Sequence, residues 1–90
     1  MNFEAAEFEW DDGNQYKSLL KHGVSNDEAE SAFFDEEGLV YKTWDGRYVL
    51  LGKSSAGRYL FQAFEIRNKR IRIISSRPMT QKEKRHYRGR

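Results

Sequence analysis

The sequence predicts an α+β domain: a short N-terminal strand, two helices, a four-stranded antiparallel meander and a C-terminal helix, in one domain spanning residues 1–90. Three observations predict it. Two helix-like stripes come first, four strand-like runs follow with no helix between them, and Asp45-Gly46 sits between two of those runs as a tight-turn signal. A parallel sheet is disfavoured, because parallel neighbours need long crossovers. Helices grouped ahead of a meander are expected to pack on one sheet face.

Phe8-Glu9-Trp10 alternates apolar and polar, as a short strand does when it buries Phe8 and Trp10. Asp11 and Asp12 mark a helix start, where a carboxylate accepts from free backbone N–H groups. Tyr16, Leu19 and Leu20 follow at i, i+3, i+4 and define one apolar stripe. Gly23 stops that helix in a left-handed cap. Ser25 with Glu28 reads as a capping box, and Ala29, Ala32 and Phe33 form the next helix's stripe before Asp35-Glu36-Glu37-Gly38 ends it.

Residues 39–42 and 47–51 flank the Asp45-Gly46 turn, residues 54–57 form the next turn, and strands at 59–66 and 70–76 surround Asn68. Thr80 with Glu83 is a second capping box, opening a basic helix to about Tyr87. Trp10, Phe33, Phe34, Phe61 and Phe64 are expected in the core.

Composition excludes several classes. There is no cysteine, so no disulfide and no thiolate metal site. No apolar run is long enough for a membrane span, and no secretory signal is visible, so the expected compartment is the cytoplasm. Thirteen aromatics supply core material to a chain that is 33% charged. The net charge of +2 hides a division: residues 1–38 hold eleven acids and two lysines, whereas residues 67–90 hold ten bases and Glu83 alone. A basic surface of that kind suits a polyanion, and a solvated charged tail is the plainer reading.

Several segments resemble one family. Phe8-Glu9-Trp10-Asp11 and Lys21-His22-Gly23-Val24-Ser25 are similar to the N-terminal half of BrnT-type toxins. Arg47-Tyr48, Gly52-Lys53, Gly57-Arg58, residues 71–78, and Glu83-Lys84 with Arg85 and Tyr87 resemble the C-terminal half and final helix. The chain departs from the pattern in a short 41–47 connection and in Asn26. The resemblance implies a toxin of a type II toxin–antitoxin pair, RelE-like in fold, that cleaves RNA without a metal or other cofactor. It also implies a BrnA-type antitoxin partner, with operator DNA reached only through that antitoxin.

Cleaving RNA by its own 2′-hydroxyl needs a proton acceptor, a proton donor and fixed positive charge. Arginine suits the last task, because its planar fork grips two phosphate oxygens. Arg58, Arg72 and Arg77 are the candidates, with Arg58 and Arg72 expected as a pair on neighbouring strands and Arg77 reaching them from the edge. Alternation puts Arg72 and Arg77 on opposite strand faces unless a bulge intervenes.

His22 is either a proton-transfer group or a cation complementing a helix C-terminus, with Lys21 beside it. Glu65 and Tyr87 are further proton-transfer candidates; Glu65 alternatively pairs with Arg70 or Arg72. Arg47, Lys53, Lys84 and Arg85 are expected to bind RNA, and Trp44 in the hairpin loop to stack on a base. The competing reading is a non-catalytic module that binds nucleic acid or protein.

Overall fold

The computed structural model describes Phe3 and residues 5–89. Its elements are α1 (Lys17–His22), α2 (Asn26–Ser31), a 3₁₀ turn (Ala32–Phe34), β1 (Leu39–Lys42), β2 (Tyr48–Lys53), β3 (Tyr59–Arg67), β4 (Arg70–Pro78) and α3 (Gln81–Arg88). The strands form one antiparallel sheet in the order β1-β2-β3-β4. The α+β class and the meander therefore stand.

The turns follow from local chemistry. Gly46 and Gly57 take positive φ in the first two strand connections, and Asn68 and Lys69 take it in the third. Gly52 is needed for a different reason. A Cβ there would lie 2.7 Å from the Ala32 carbonyl oxygen, so only glycine lets β2 approach the 3₁₀ turn so closely.

Helices cover both faces of the sheet, not one. Leu50, Leu60, Phe64, Ile71 and Ile73 pack with Val24, Ala29, Ala32 and Phe33 on the α2 side. Val49 and Leu51 pack with Met79 and Tyr87 on the α3 side, with Tyr59 and Phe61 partly buried against them. The difference is legible in β2, where four consecutive residues are buried.

Phe8-Glu9-Trp10 does not make the expected strand. Phe8 forms a single parallel bridge to Ile71, with Glu9 N–H donating to Ile71 O and Ile71 N–H to Glu7 O, both at 2.9 Å. The segment covers the outer edge of β4. Buried Asn14 donates through Nδ2 to the carbonyls of Glu9 and Ile73, both at 3.0 Å, and accepts from Asp11 N–H at 2.8 Å. Further along, Ser76 N–H donates to Ser18 Oγ at 2.7 Å. An open sheet edge invites pairing with another chain, and this segment closes it.

The first helix also begins later than its sequence implies. Residues 12–16 are turns, and Asp11 accepts from Gly13 N–H instead of capping the helix. Gly23 has the expected left-handed cap, at φ 67°. The stripe on α1 is not core: Tyr16, Leu19 and Leu20 are 59%, 48% and 84% exposed. Phe34 is exposed as well, while Phe33 and Phe64 are buried and Trp10 packs beside them, its indole N–H donating to Glu30 at 2.6 Å.

At Ser25 only half of the capping box forms. Ser25 Oγ accepts from Glu28 N–H, but the Glu28 carboxylate is taken by Arg58 and Ser54. The box at Thr80 and Glu83 is complete.

Asn14 generates a prediction. Asn14→Ala removes three hydrogen bonds and leaves the Ile73 carbonyl without its side-chain donor, so it should cost about 2–3 kcal/mol. Urea denaturation measures this, and a loss within about 0.5 kcal/mol would contradict the role given to the edge cover.

Candidate functional site

The three arginines do not gather. Arg58 follows the β2–β3 turn and faces α2, donating through Nε to Glu28 at 2.8 Å and through Nη2 to Gly23 O at 2.9 Å. Arg72 donates through both Nη atoms to Asp11, at 2.8 and 2.9 Å, and to Glu9 at 3.1 Å. Arg77 makes a two-point contact with Glu83, at 2.8 and 2.9 Å. Each guanidinium thus has its own carboxylate, and the expected pairing of Arg58 with Arg72 is wrong. The guanidinium beside each acid holds the carboxyl groups of Asp11, Glu28 and Glu83 below the usual range. Arg67, with Arg72 behind it, does the same to Glu9.

A bulge nevertheless places Arg72 and Arg77 on one face. The β3–β4 register shifts between Ala63 and Phe64, so Ser75 faces Ala63 while Ile73 faces Phe64. Arg72, Ser75 and Arg77 then stand opposite Glu65, Ala63 and Phe61, which alternate along one face of β3. The same face carries Tyr59 opposite Lys53. Six residues of strand separate Glu65 from Tyr59, about 20 Å. One phosphodiester cannot be served from both ends.

At the Glu65 end the groups satisfy one another. Arg47 lies 4.0 Å from Glu65, so Glu65 pairs with Arg47 instead of Arg70 or Arg72. Arg72, directly across from Glu65, is drawn away to Asp11 and Glu9. Trp44 projects from the adjoining turn and is 99% exposed. That turn is held by the hydrogen bond of Thr43 Oγ1 to Asp45.

The Tyr59 end is different. Lys53, Lys84 and Arg88 place their charged groups 5.7, 5.9 and 5.1 Å from the centroid of the Tyr59 ring. None of the three enters an ion pair among the described residues. Arg88 foremost, then the Lys53 charge and more weakly that of Lys84, pull the Tyr59 phenol below the ordinary tyrosine range. Behind it Tyr87 is buried, edge-on to Tyr59 at 5.8 Å, and donates its hydroxyl to Asp35 at 2.6 Å. Asp35 also accepts from Lys53 N–H at 2.8 Å. Tyr87 therefore ties α3 to the sheet.

Beside this cradle lies a cleft of about 700 Å³ lined by Tyr41, Leu51, Lys82, Glu83, Arg85 and His86. Tyr41 meets His86 edge-on at 6.3 Å, and burial, with the charge of Glu83, pushes the Tyr41 phenol up. Arg77 pairs with Glu83 of the cleft wall and lies over Phe61, its guanidinium 4.0 Å from the ring centre.

Of the residues expected to bind RNA, Lys84 and Arg85 lie on α3 and Lys53 at the end of β2. Lys21 and His22 are exposed in the last turn of α1, the helix C-terminal position that stood as the alternative to proton transfer. Sequence reasoning missed Tyr59 and Arg88. The available signal was the direct opposition of Tyr59 and Lys53 across the 54–57 turn, together with i, i+4 spacing of Lys84 and Arg88 on one helix face. Among the described residues no cluster of three His, Asp or Glu side chains could hold a metal ion, and no helix is long and apolar enough to cross a membrane.

The arginine-held carboxylates set an acid limit. Their folded pKa values lie below the unfolded ones, so their contribution is complete above the unfolded range near pH 4 and is lost as pH falls through the folded values. Thermal scans should give a flat Tm from about pH 7 to 5 and a fall below about pH 4. In Arg72→Gln that fall should be shallower, and an unchanged slope would contradict the assignment.

No curated protein matches the chain. A family model described as "Ribonuclease toxin, BrnT, of type II toxin-antitoxin system" matches residues 10–83, most of the chain from the N-terminal edge cover into α3. The chain belongs to the BrnT family of ribonuclease toxins of type II toxin–antitoxin systems.

Proposed function

We propose that this BrnT-family chain cleaves RNA at the Tyr59 cradle, without a protein-held metal, and so arrests translation and growth in the cytoplasm until a BrnA-type antitoxin binds it. The observation that carries the site is the gathering of Lys53, Lys84 and Arg88 around an accessible phenol whose pKa they lower. In this reading residues 1–90 act as one RelE-like domain, and operator DNA is reached only through the antitoxin.

The chemistry follows from the parts. Lys53, Lys84 and Arg88 bind the scissile phosphate and stabilise the charge that develops on it. Tyr59, its phenol pKa lowered by Arg88 foremost and by the Lys53 and Lys84 charges, accepts the 2′-hydroxyl proton. The 2′ oxygen then attacks phosphorus, and an ammonium group of the cradle protonates the departing 5′ oxygen. Lys82 and Arg85 extend positive charge along the cleft, beside the His86 ring, for flanking nucleotides. Arg58 and Arg72 hold the fold, and Glu65, Arg47 and Trp44 lie too far along the sheet to join the chemistry.

Two measurements test this. Purified chain should cleave single-stranded RNA in EDTA, and cleavage that requires added divalent metal would contradict metal independence. Because the basic form of Tyr59 is required, the rate should rise with pH up to the lowered phenol pKa and then level. Tyr59→Phe should lose about 10²-fold in rate together with that pH-dependent limb. Arg72→Gln should retain the rate per folded molecule. Loss of rate in Arg72→Gln with retention in Tyr59→Phe would move the site back to the strand arginines.

A further inference from the structure

Helix α1 is docked inside out. Its polar Ser18 faces the sheet, accepting from Ser76 N–H at 2.7 Å, and α1 buries none of its residues. At 100° per residue, Tyr16, Leu19 and Leu20 occupy one arc roughly opposite Ser18. All three are exposed, Leu20 at 84%. An amphipathic helix that turns its apolar arc to solvent leaves a contiguous hydrophobic patch, and such patches mark interaction surfaces. A groove of about 180 Å³ runs alongside, lined by Gln15, Tyr16, Leu19, Ser25, Asn26 and Asp27.

The flanks indicate the occupant. Lys17 and Lys21 stand one turn apart beside the arc, with His22 behind them, and none enters an ion pair among the described residues. A second copy meeting α1 about a two-fold axis would bring four lysines into one interface, against one groove carboxylate, Asp27, from each copy. An acidic segment would satisfy them. We propose that this surface docks an acidic amphipathic segment of the antitoxin, with an aliphatic side chain in the groove and carboxylates on Lys17 and Lys21.

The patch lies on the helix that follows the β4 edge, whereas the cradle lies under α3 on the other sheet face. It is therefore an anchor separate from the catalytic groups. The proposal rests on membership of a toxin–antitoxin family and deepens the antitoxin part of the function above; it does not depend on where the RNA is cut.

The test titrates the protein encoded by the reading frame next to this chain's gene into the full chain by calorimetry. Leu20→Glu and, as a milder second variant, Leu19→Ser should each weaken binding at least about tenfold, with circular dichroism and RNA cleavage by the isolated chain unchanged. The Lys17→Glu/Lys21→Glu double variant should weaken binding and flatten its salt dependence. Unchanged affinity in both leucine variants would overturn the proposal, as would absence of binding to the wild type. A wild-type dimer that becomes monomeric in Leu20→Glu with partner affinity intact would overturn it in favour of a second copy. A wild type that cleaves no RNA yet loses its partner in Leu20→Glu would retain the docking surface and reject only the catalytic reading.

Discussion

The acidic first third and the basic last third of the chain are bound to each other through guanidinium–carboxylate contacts. Glu7, Glu9 and Asp11 alternate along the N-terminal segment and meet Arg70, Arg67 and Arg72 on or beside β4, while Glu28 on α2 holds Arg58. A two-point arginine–carboxylate contact fixes direction as well as distance. These contacts therefore orient the segment that closes the β4 edge, and Asn14 completes the closure from within. Exposed pairs contribute little singly, so the importance lies in their grouping along one strap and in the edge they keep shut.

That arrangement decides which cations remain for RNA. A guanidinium satisfied by two carboxylate oxygens of its own chain must give them up to take a phosphate. Arg58 and Arg72 are in that position, and Arg72 is the more enclosed of the two. Arg77 is intermediate, bound by Glu83 yet lying over Phe61 at the edge of the cleft. Lys53, Lys84 and Arg88 keep their charge directed at Tyr59. The segregation of charge in the sequence thus serves two ends: part of it holds the N-terminal segment and α2 to the sheet, and what α3 and the end of β2 retain forms the proposed anion-binding surface.

Much of the fold was legible because it rests on local rules. The Asp45-Gly46 turn, the left-handed Gly23, the Thr80–Glu83 box and the strand runs each follow from a few adjacent residues. The failures are long-range. Periodicity identified the stripe on α1 but not its direction, since Ser18 meets Ser76 across 58 positions of sequence. The bulge at Ile74 that returns Arg77 to the face of Arg72 has no sequence signature as plain as a glycine. Strand position did not reveal the carboxylates that Arg58 and Arg72 meet, Glu28 and Asp11, at 30 and 61 positions of sequence. The α3 cations were legible as a basic helix, but their convergence on Tyr59 depends on Tyr87 seating that helix against the sheet.

Which cations meet the phosphate can be watched directly. The chain, labelled at its arginine and lysine side-chain nitrogens, is titrated with a single-stranded RNA carrying a 2′-deoxy substitution at each position, so that it binds and is not cut. The side-chain resonances of Arg88, Lys53 and Lys84 should shift with saturation, while those of Arg58 and Arg72 stay where their carboxylates hold them. Movement of Arg58 and Arg72 with silence at the cradle would contradict the account.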